Sequence, residues 1–300
     1  MQLAEAREAD AVGYYSRIMC QTSLPISRVP GSEYVKESGP NHLSIMTPQA
    51  IGIPYGRYPR GILNWLVTEI VKKHGADDGS RRVYLGKDLG EFIEAVSGAT
   101  MQTGGRNGNI RRFKQQLTSL LMSRIMYWSN DAERTAYQSM EVSPSGQLFW
   151  SPPNLNQRGL IQSWVEVGGA FWNDCIENKV PVDLRIIRGL WDYGCLALDV
   201  YAWLTYRAFV MRRLGRTDLR ISWSALKFQF GEQYSRERKF REVFGTTLRR
   251  VRVIYTGFET ADWEGKGLCF RFLRPSVIPF STSIPGKVLH LRRENPPAES

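Results

Sequence analysis

The chain has 300 residues, 42% of them hydrophobic and 12% aromatic, with 40 Lys/Arg against 29 Asp/Glu for a formal net charge of +11. That composition excludes disorder over most of the length, leaves room for two domains of ordinary size, and points to a polyanionic partner. No stretch of about 18 uninterrupted apolar residues offers a membrane span, and Met1 to Asp10 lacks the basic start and apolar run of a secretory signal.

In chain order, residues 1–40 are interrupted by Pro25, Pro30, Gly31 and Pro40 and read as a mobile or weakly packed arm. A helix is then expected from Pro59, a good first-turn proline, with Ile62, Leu63, Leu66, Val67 and Ile70 at helical spacing up to Gly75. Arg82 to Leu85 reads as a short strand. Asp88 is the N-cap of a short helix that turns Leu89, Phe92, Ile93 and Val96 inward and stops at Gly98. The glycine-rich loop from Thr103 to Gly108 leads into a basic helix over 109–124, with Ile110, Phe113, Leu117, Leu120 and Leu121 as its apolar stripe. Ile125 to Trp128 reads as a strand, and 137–142 and 160–167 as further hairpin strands. A helical-looking bridge over 170–195, with Leu184, Ile187, Leu190 and Trp191, follows.

The second half has the same order. A long helix carries Leu198, Tyr201, Leu204, Ala208 and Met211 to Gly215, and Leu219 to Trp223 reads as a strand. A short helix, Ser224 to Phe230, stops at Gly231, and a basic helix from Arg236 to Arg250 buries Phe240, Val243, Phe244 and Leu248. Val253 to Tyr255 and Leu268 to Phe272 are expected to form a hairpin around a turn-rich stretch from Glu259 to Gly267. Helix, strand, short helix, basic helix and hairpin is the element order of a winged helix. The expected fold is therefore α+β. Two tandem winged-helix domains (41–168 and 169–274) with a helical bridge lie between the N-terminal arm (1–40) and a Pro-rich C-terminal tail (275–300).

The positive charge is packaged in two blocks. From Ala95 to Asn130, Arg106, Arg111, Arg112, Lys114 and Arg124 meet no acid, and from Tyr206 to Val253 thirteen Lys/Arg meet only Asp218, Glu232, Glu237 and Glu242. On the first basic helix, Arg111, Arg112, Lys114 and Gln115 point away from the apolar stripe, with Arg106, Asn107 and Asn109 at its start. Arg and Asn suit guanine and adenine edges, while Lys suits phosphate. On the second, Arg236, Arg238, Lys239 and Arg241 crowd the first turns, where the helix dipole disfavours cations unless an outside anion satisfies them. Arg249 at its far end and Lys266 at the hairpin tip complete the DNA-contact set. Trp65, Trp203 and Trp223 fall on apolar stripes and are assigned to the core.

Catalytic patterns are missing. His42, His74 and His290 lie far apart, no Walker A, HExxH or GxSxG pattern occurs, and Gly265-Lys266-Gly267 lacks the Ser/Thr that would hold magnesium. Cys20, Cys175, Cys195 and Cys269 are scattered without a CxxC pair and read as reduced thiols of a cytoplasmic protein. The expectation is a non-enzymatic DNA-binding protein with neither metal nor other cofactor.

The runs Leu43 to Pro48, Gly52 to Arg60, Thr103-Gly104-Gly105, Val180 to Leu184, Ala197 to Tyr206 and Ile221 to Tyr234 together resemble the RepA-type plasmid replication initiators over residues 40–275. That resemblance implies a bacterial protein that binds direct repeats (iterons) of double-stranded origin DNA and opens adjacent AT-rich DNA. It also implies recruitment of the host initiator and replicative helicase, with a homodimer that represses its own gene. Two readers in one chain would span successive major grooves roughly 34–36 Å apart. A transcriptional repressor at an inverted repeat is the alternative reading of the same surface.

Overall fold

The computed structural model describes residues 10–21, 23–38, 41–76, 79–86, 88–98, 108–130, 133–150 and 163–277. The first unit is built on α2 (Arg57–Ala76), whose Ile62, Leu63, Leu66, Val67 and Ile70 are each at most 1% exposed. Pro59 sits in its first turn, where no intrahelical N–H is lost. β4 (Arg82–Tyr84) follows, then α3 (Leu89–Ser97). Asp88 caps α3 by accepting from the Glu91 N–H at 2.9 Å, and Gly98 ends it with φ 72, a left-handed turn that glycine adopts without strain. Asp88→Ala is expected to cost about 1 kcal/mol of stability in chemical denaturation, because it leaves that first-turn donor uncapped.

Next come α4 (Asn109–Leu121), β5 (Arg124–Asn130), β6 (Thr135–Glu141), β7 (Ser145–Gln147) and β8 (Trp164–Glu166). The bridge holds α5 (Gly169–Glu177), β9 (Lys179–Asp183), α6 (Leu184–Leu190) and a 3-10 turn at Trp191–Tyr193. The second unit runs α7 (Cys195–Arg213), β10 (Asp218–Ser222), α8 (Trp223–Phe230), α9 (Glu237–Ile254), β11 (Phe258–Trp263) and β12 (Gly267–Phe272). The fold is mixed helix and sheet, α+β.

Two of the sheets repeat each other. β4, β8 and β7 pair antiparallel with β8 in the middle, and β10, β12 and β11 do the same with β12 in the middle. In each unit the strand that follows the long helix lies at one edge. The last strand returns to the centre and pairs on both sides. The two three-stranded sheets therefore share one strand order.

Several expectations are corrected. Residues 11–21 and 23–38 are not a weakly packed arm. They carry β1 (Val12–Ser16), α1 (Arg17–Gln21) and β2 (Glu33–Ser38), with Tyr15, Cys20, Leu24 and Tyr34 all under 7% exposed. β1 pairs with β9, Val12 opposite Asp183, and β2 pairs with β3 (Asn41–Met46). Pro25 and Pro30 break only the connection between α1 and β2, and β1's strand partner lies in the distant bridge, so no local period betrays it. Residues 1–9, 22 and 39–40 lie outside the described residues.

The second correction concerns the insertion after α4. β5 and β6 do not join the strand at 164–166; they extend β2 and β3 into a four-stranded antiparallel sheet ordered β2-β3-β5-β6. The third concerns Val253 to Tyr255. Val253 and Ile254 end α9, and the Tyr255 N–H still donates to the Val251 carbonyl at 2.8 Å. Their β-branched side chains invited a strand, but the apolar face through Phe244, Leu248 and Val251 keeps the helix going. The hairpin is β11–β12, and its turn shrinks to Glu264–Lys266. The tail does not leave at 275: Val277 is 2% exposed and Ser276 hydrogen-bonds the Tyr201 hydroxyl, while 278–300 lie outside the described residues.

One apolar core runs through both units. At its centre Arg60 of α2, 4% exposed, grips Asp199 of α7 with Nε and Nη2, each at 2.7 Å from a carboxylate oxygen. The same guanidinium donates to the carbonyls of Leu24, Pro25 and Gly56. Burial opposes the charge on Arg60, yet the Asp199 carboxylate outweighs it and raises the pKa of the guanidinium above its usual value.

Candidate nucleic-acid interface

The second basic helix is presented by a short helix and a tight turn. Ser222 caps α8 through the Ala225 N–H at 3.2 Å, and the Trp223 N–H donates to the Lys266 carbonyl at 3.0 Å, which ties the helix start to the hairpin tip. α8 ends at Gly231, where a Cβ would stand 2.6 Å from the Phe240 ring. Only glycine lets α9 come this close. α9 then buries Phe240, Phe244, Leu248 and Val251, with Trp223 edge-on to both phenylalanines. Its opposite face is left to solvent.

On that face Arg236, Arg238, Lys239, Arg249, Arg250 and Arg252 are exposed. Arg236 and Arg238 find no side-chain hydrogen-bond or ion-pair partner among the described residues. They stand at the helix N-terminus, the end at which the dipole is positive. Lys239, Arg241, Arg249 and Arg250 are tied to varying degrees. Lys239 meets Glu242 at 3.1 Å, one turn on. Arg241 is half-buried, clamps Glu237 with Nε and Nη2 at 2.9 and 2.5 Å, and lies 5.2 Å over the Trp223 ring. Arg249 donates to the Thr246 hydroxyl at 3.0 Å, and Arg250 lies over Tyr193.

The hairpin tip is less cationic than its lysine suggests. Lys266 pairs with Glu264 at 3.1 Å, and Asp262 accepts from the Gly265 N–H at 2.7 Å within the same turn. Two carboxylates against one ammonium leave that tip net acidic.

In the first unit α4 buries Phe113, Leu117 and Leu120, and Phe113 meets Tyr58 and Phe92 edge-on. The Gly52–Tyr58 loop braces this helix from behind. Buried Gln116 accepts from the Tyr55 N–H at 2.6 Å, and the Ser119 hydroxyl donates to the Gly52 carbonyl. Asn109, Arg111, Arg112 and Gln115 are exposed on the other side. Lys114 is drawn toward Trp150, its ammonium 5.3 Å from the ring. Arg106 and Asn107 lie outside the described residues. Trp65, Trp203 and Trp223 pack against core aromatics, with Trp65 4.8 Å from Phe92 and Trp203 5.2 Å from Phe270.

The structure thus gathers Arg236, Arg238 and Lys239 at one helix start and Asn109, Arg111, Arg112 and Gln115 at another. It ties Arg241 and Lys266 into local ion pairs. Sequence reasoning missed those pairs, although Glu237 and Arg241 at i,i+4 and Lys239 and Glu242 at i,i+3 carried the signal. Among the described residues no group of three or more His, Cys, Asp or Glu side chains could hold a metal, and no helix is long and apolar enough to cross a membrane.

The model of the family described as plasmid-encoded RepA protein matches residues 53–225, more than half of the chain. The chain belongs to the RepA family. The match takes in α2, α4 and the bridge, and ends inside α8. α9 therefore stands beyond it. No curated protein matches. Among solved structures, this RepA-family chain is similar to the crystal structure of a selenomethionine derivative of domains 2 and 3 of RctB. The identity is 13%, the TM-score is 0.52, and 86% of this chain and 97% of that one are covered. A second crystal structure of RctB domains 2–3 aligns with a TM-score of 0.48 at 14% identity, over 84% of this chain and 94% of the other. The likeness extends to the fold.

Proposed function

We propose that this RepA-family chain is a non-enzymatic replication initiator that binds duplex DNA at an origin through two tandem winged-helix units, with α4 and α9 as the helices that enter successive major grooves. The observation that carries the reading is the repeat of one arrangement: long helix, edge strand, short helix, exposed basic helix and two returning strands, with the same strand order both times. A helix held proud of two packed helices is the geometry that reaches base edges, and arginines at its start reach phosphate and guanine. Family membership supports the origin as the site of action. Recruitment of a host initiator and helicase, and a homodimer, follow from the same reading.

Duplexes enriched from a random-sequence pool by the purified protein test it. Binding is expected to weaken steeply with salt, the slope of log affinity against log salt being at least about −4, as four or more neutralised phosphates require. A flat dependence overturns the reading. Footprints on DNA flanking the gene are expected over direct repeats, whereas an inverted repeat at a promoter favours a repressor. Nicks or primers formed on supercoiled DNA with Mg²⁺ would make the protein an enzyme.

A further inference from the structure

The α8–α9 turn is held from outside its own unit. Lys36 of β2, 8% exposed, donates from Nζ to the Gln229 carbonyl at 2.6 Å and to the Ser23 hydroxyl at 3.0 Å. Tyr34, two residues earlier on the same sheet face, donates to Glu232 Oε2 at 2.5 Å. Gln229 Nε2 returns a hydrogen bond to the Gln21 carbonyl at 3.1 Å, and the Ser23 hydroxyl lies 3.3 Å from the Gln229 carbonyl. Gln229 and Glu232 flank Gly231, the residue at which the chain turns from α8 into α9.

This contact continues to the other basic helix. β2 pairs with β3 and β3 with β5, and β5 begins three residues after α4 ends. The Thr47 hydroxyl at the end of β3 lies 3.1 Å from the Ser123 hydroxyl at the α4–β5 corner. Hydrogen bonds therefore run without a break from the turn before α9 through the sheet to the end of α4.

We infer that Tyr34 and Lys36 form a latch on the α8–α9 turn that fixes the distance and angle between the two basic helices, so that one monomer reads two DNA half-sites in a single register. The inference rests on the DNA reading above. Tyr34 and Lys36 act as positioning residues and touch no DNA themselves.

The latch carries its own signature. Burial pushes the Lys36 ammonium down to about 8; Asp199 and Glu232 oppose that fall and Arg60 adds to it. An opened latch returns Lys36 to water and to its ordinary pKa near 10.4. Below about pH 8 the closed form buries a charge. Between about 8 and 10.4 the open form holds a proton that the closed form has shed, so raising the pH closes the latch.

Hydrogen exchange and DNA binding test this together, on the full chain and on the double variant Tyr34→Phe, Lys36→Met, which keeps ring and stem volume. In the unsubstituted chain, protection factors over 231–240 are expected to rise roughly tenfold from pH 7 to 9.5, with those of α2 and α7 unchanged. The variant is expected to lose at least about tenfold of that protection at pH 9.5, together with its pH dependence. On a duplex enriched by the unsubstituted protein, the variant is expected to bind the whole site about tenfold more weakly. It should bind each half, offered separately, within about twofold of the unsubstituted chain.

Equal loss on the halves would mean that the pair supports the fold of α9 itself, and would overturn the positioning role. Unchanged protection with unchanged whole-site affinity overturns the latch. If no duplex is enriched, the DNA reading fails and the exchange arm alone decides whether the latch exists.

Discussion

Arg236→Ala with Arg238→Ala is expected to weaken duplex binding by roughly a hundredfold or more, since each substitution removes one charge-assisted contact worth about 1.5–3 kcal/mol. Both side chains are exposed and neither has a partner among the described residues, so nothing in the fold depends on them. Their removal also relieves two cations at the positive end of the α9 dipole, a gain of a few tenths of a kcal/mol each. The melting temperature should therefore stay level or rise slightly while affinity falls. The slope of log affinity against log salt should become shallower by about 2, one unit for each lost phosphate contact.

Two other cations on the same surface behave differently. Lys266→Ala should change affinity little, because that ammonium already faces Glu264 in an acidic turn. Arg241→Ala should lower the melting temperature, because its guanidinium braces Trp223 and Glu237. An unaltered affinity in the Arg236/Arg238 variant would remove α9 as a reader.

The parts of the fold that could be read in advance are those in which local chemistry and final environment agree. α2, α3 and α7 announced themselves because apolar residues recur at helical spacing, and Asp88 and Gly98 mark the ends of α3 in the manner that backbone donors and left-handed turns require. β10 and α8 were legible for the same reason. What could not be read depends on partners far along the chain. β1 is a strand because β9 accepts it, and β2 because β3 lies beside it.

At the candidate site, the exposure of Arg236, Arg238, Arg112 and Gln115 followed directly from the apolar stripes opposite them. The neutralisation of Lys239, Arg241 and Lys266 did not, because counting charges over a window ignores which acid stands one helical turn away. Lys36 is the sharpest case: it falls in the stretch read as a weakly packed arm, whereas it crosses to the Gln229 carbonyl two residues before Gly231.

Arg60→Met is expected to cost about 3–5 kcal/mol, the usual consequence of removing one partner of a buried ion pair. Asp199, 9% exposed, would lose its two-pronged guanidinium partner, and the carbonyls of Leu24, Pro25 and Gly56 would lose their donor. For a chain of 300 residues that loss corresponds to a fall in melting temperature of roughly 5–8 °C. Lys at position 60 should recover only part of it, since an ammonium cannot repeat the two-pronged grip on both carboxylate oxygens.

The informative partner is the double variant Arg60→Met, Asp199→Leu. With no charge left stranded, it is expected to regain most of the lost stability. Because Arg60 and Asp199 belong to the first helices of the two units and share one core, the Arg60→Met transition should remain a single cooperative melt. Two separated transitions would mean that the units are independent bodies joined only by the bridge. The geometry between α4 and α9 would then be set by DNA and not by the protein.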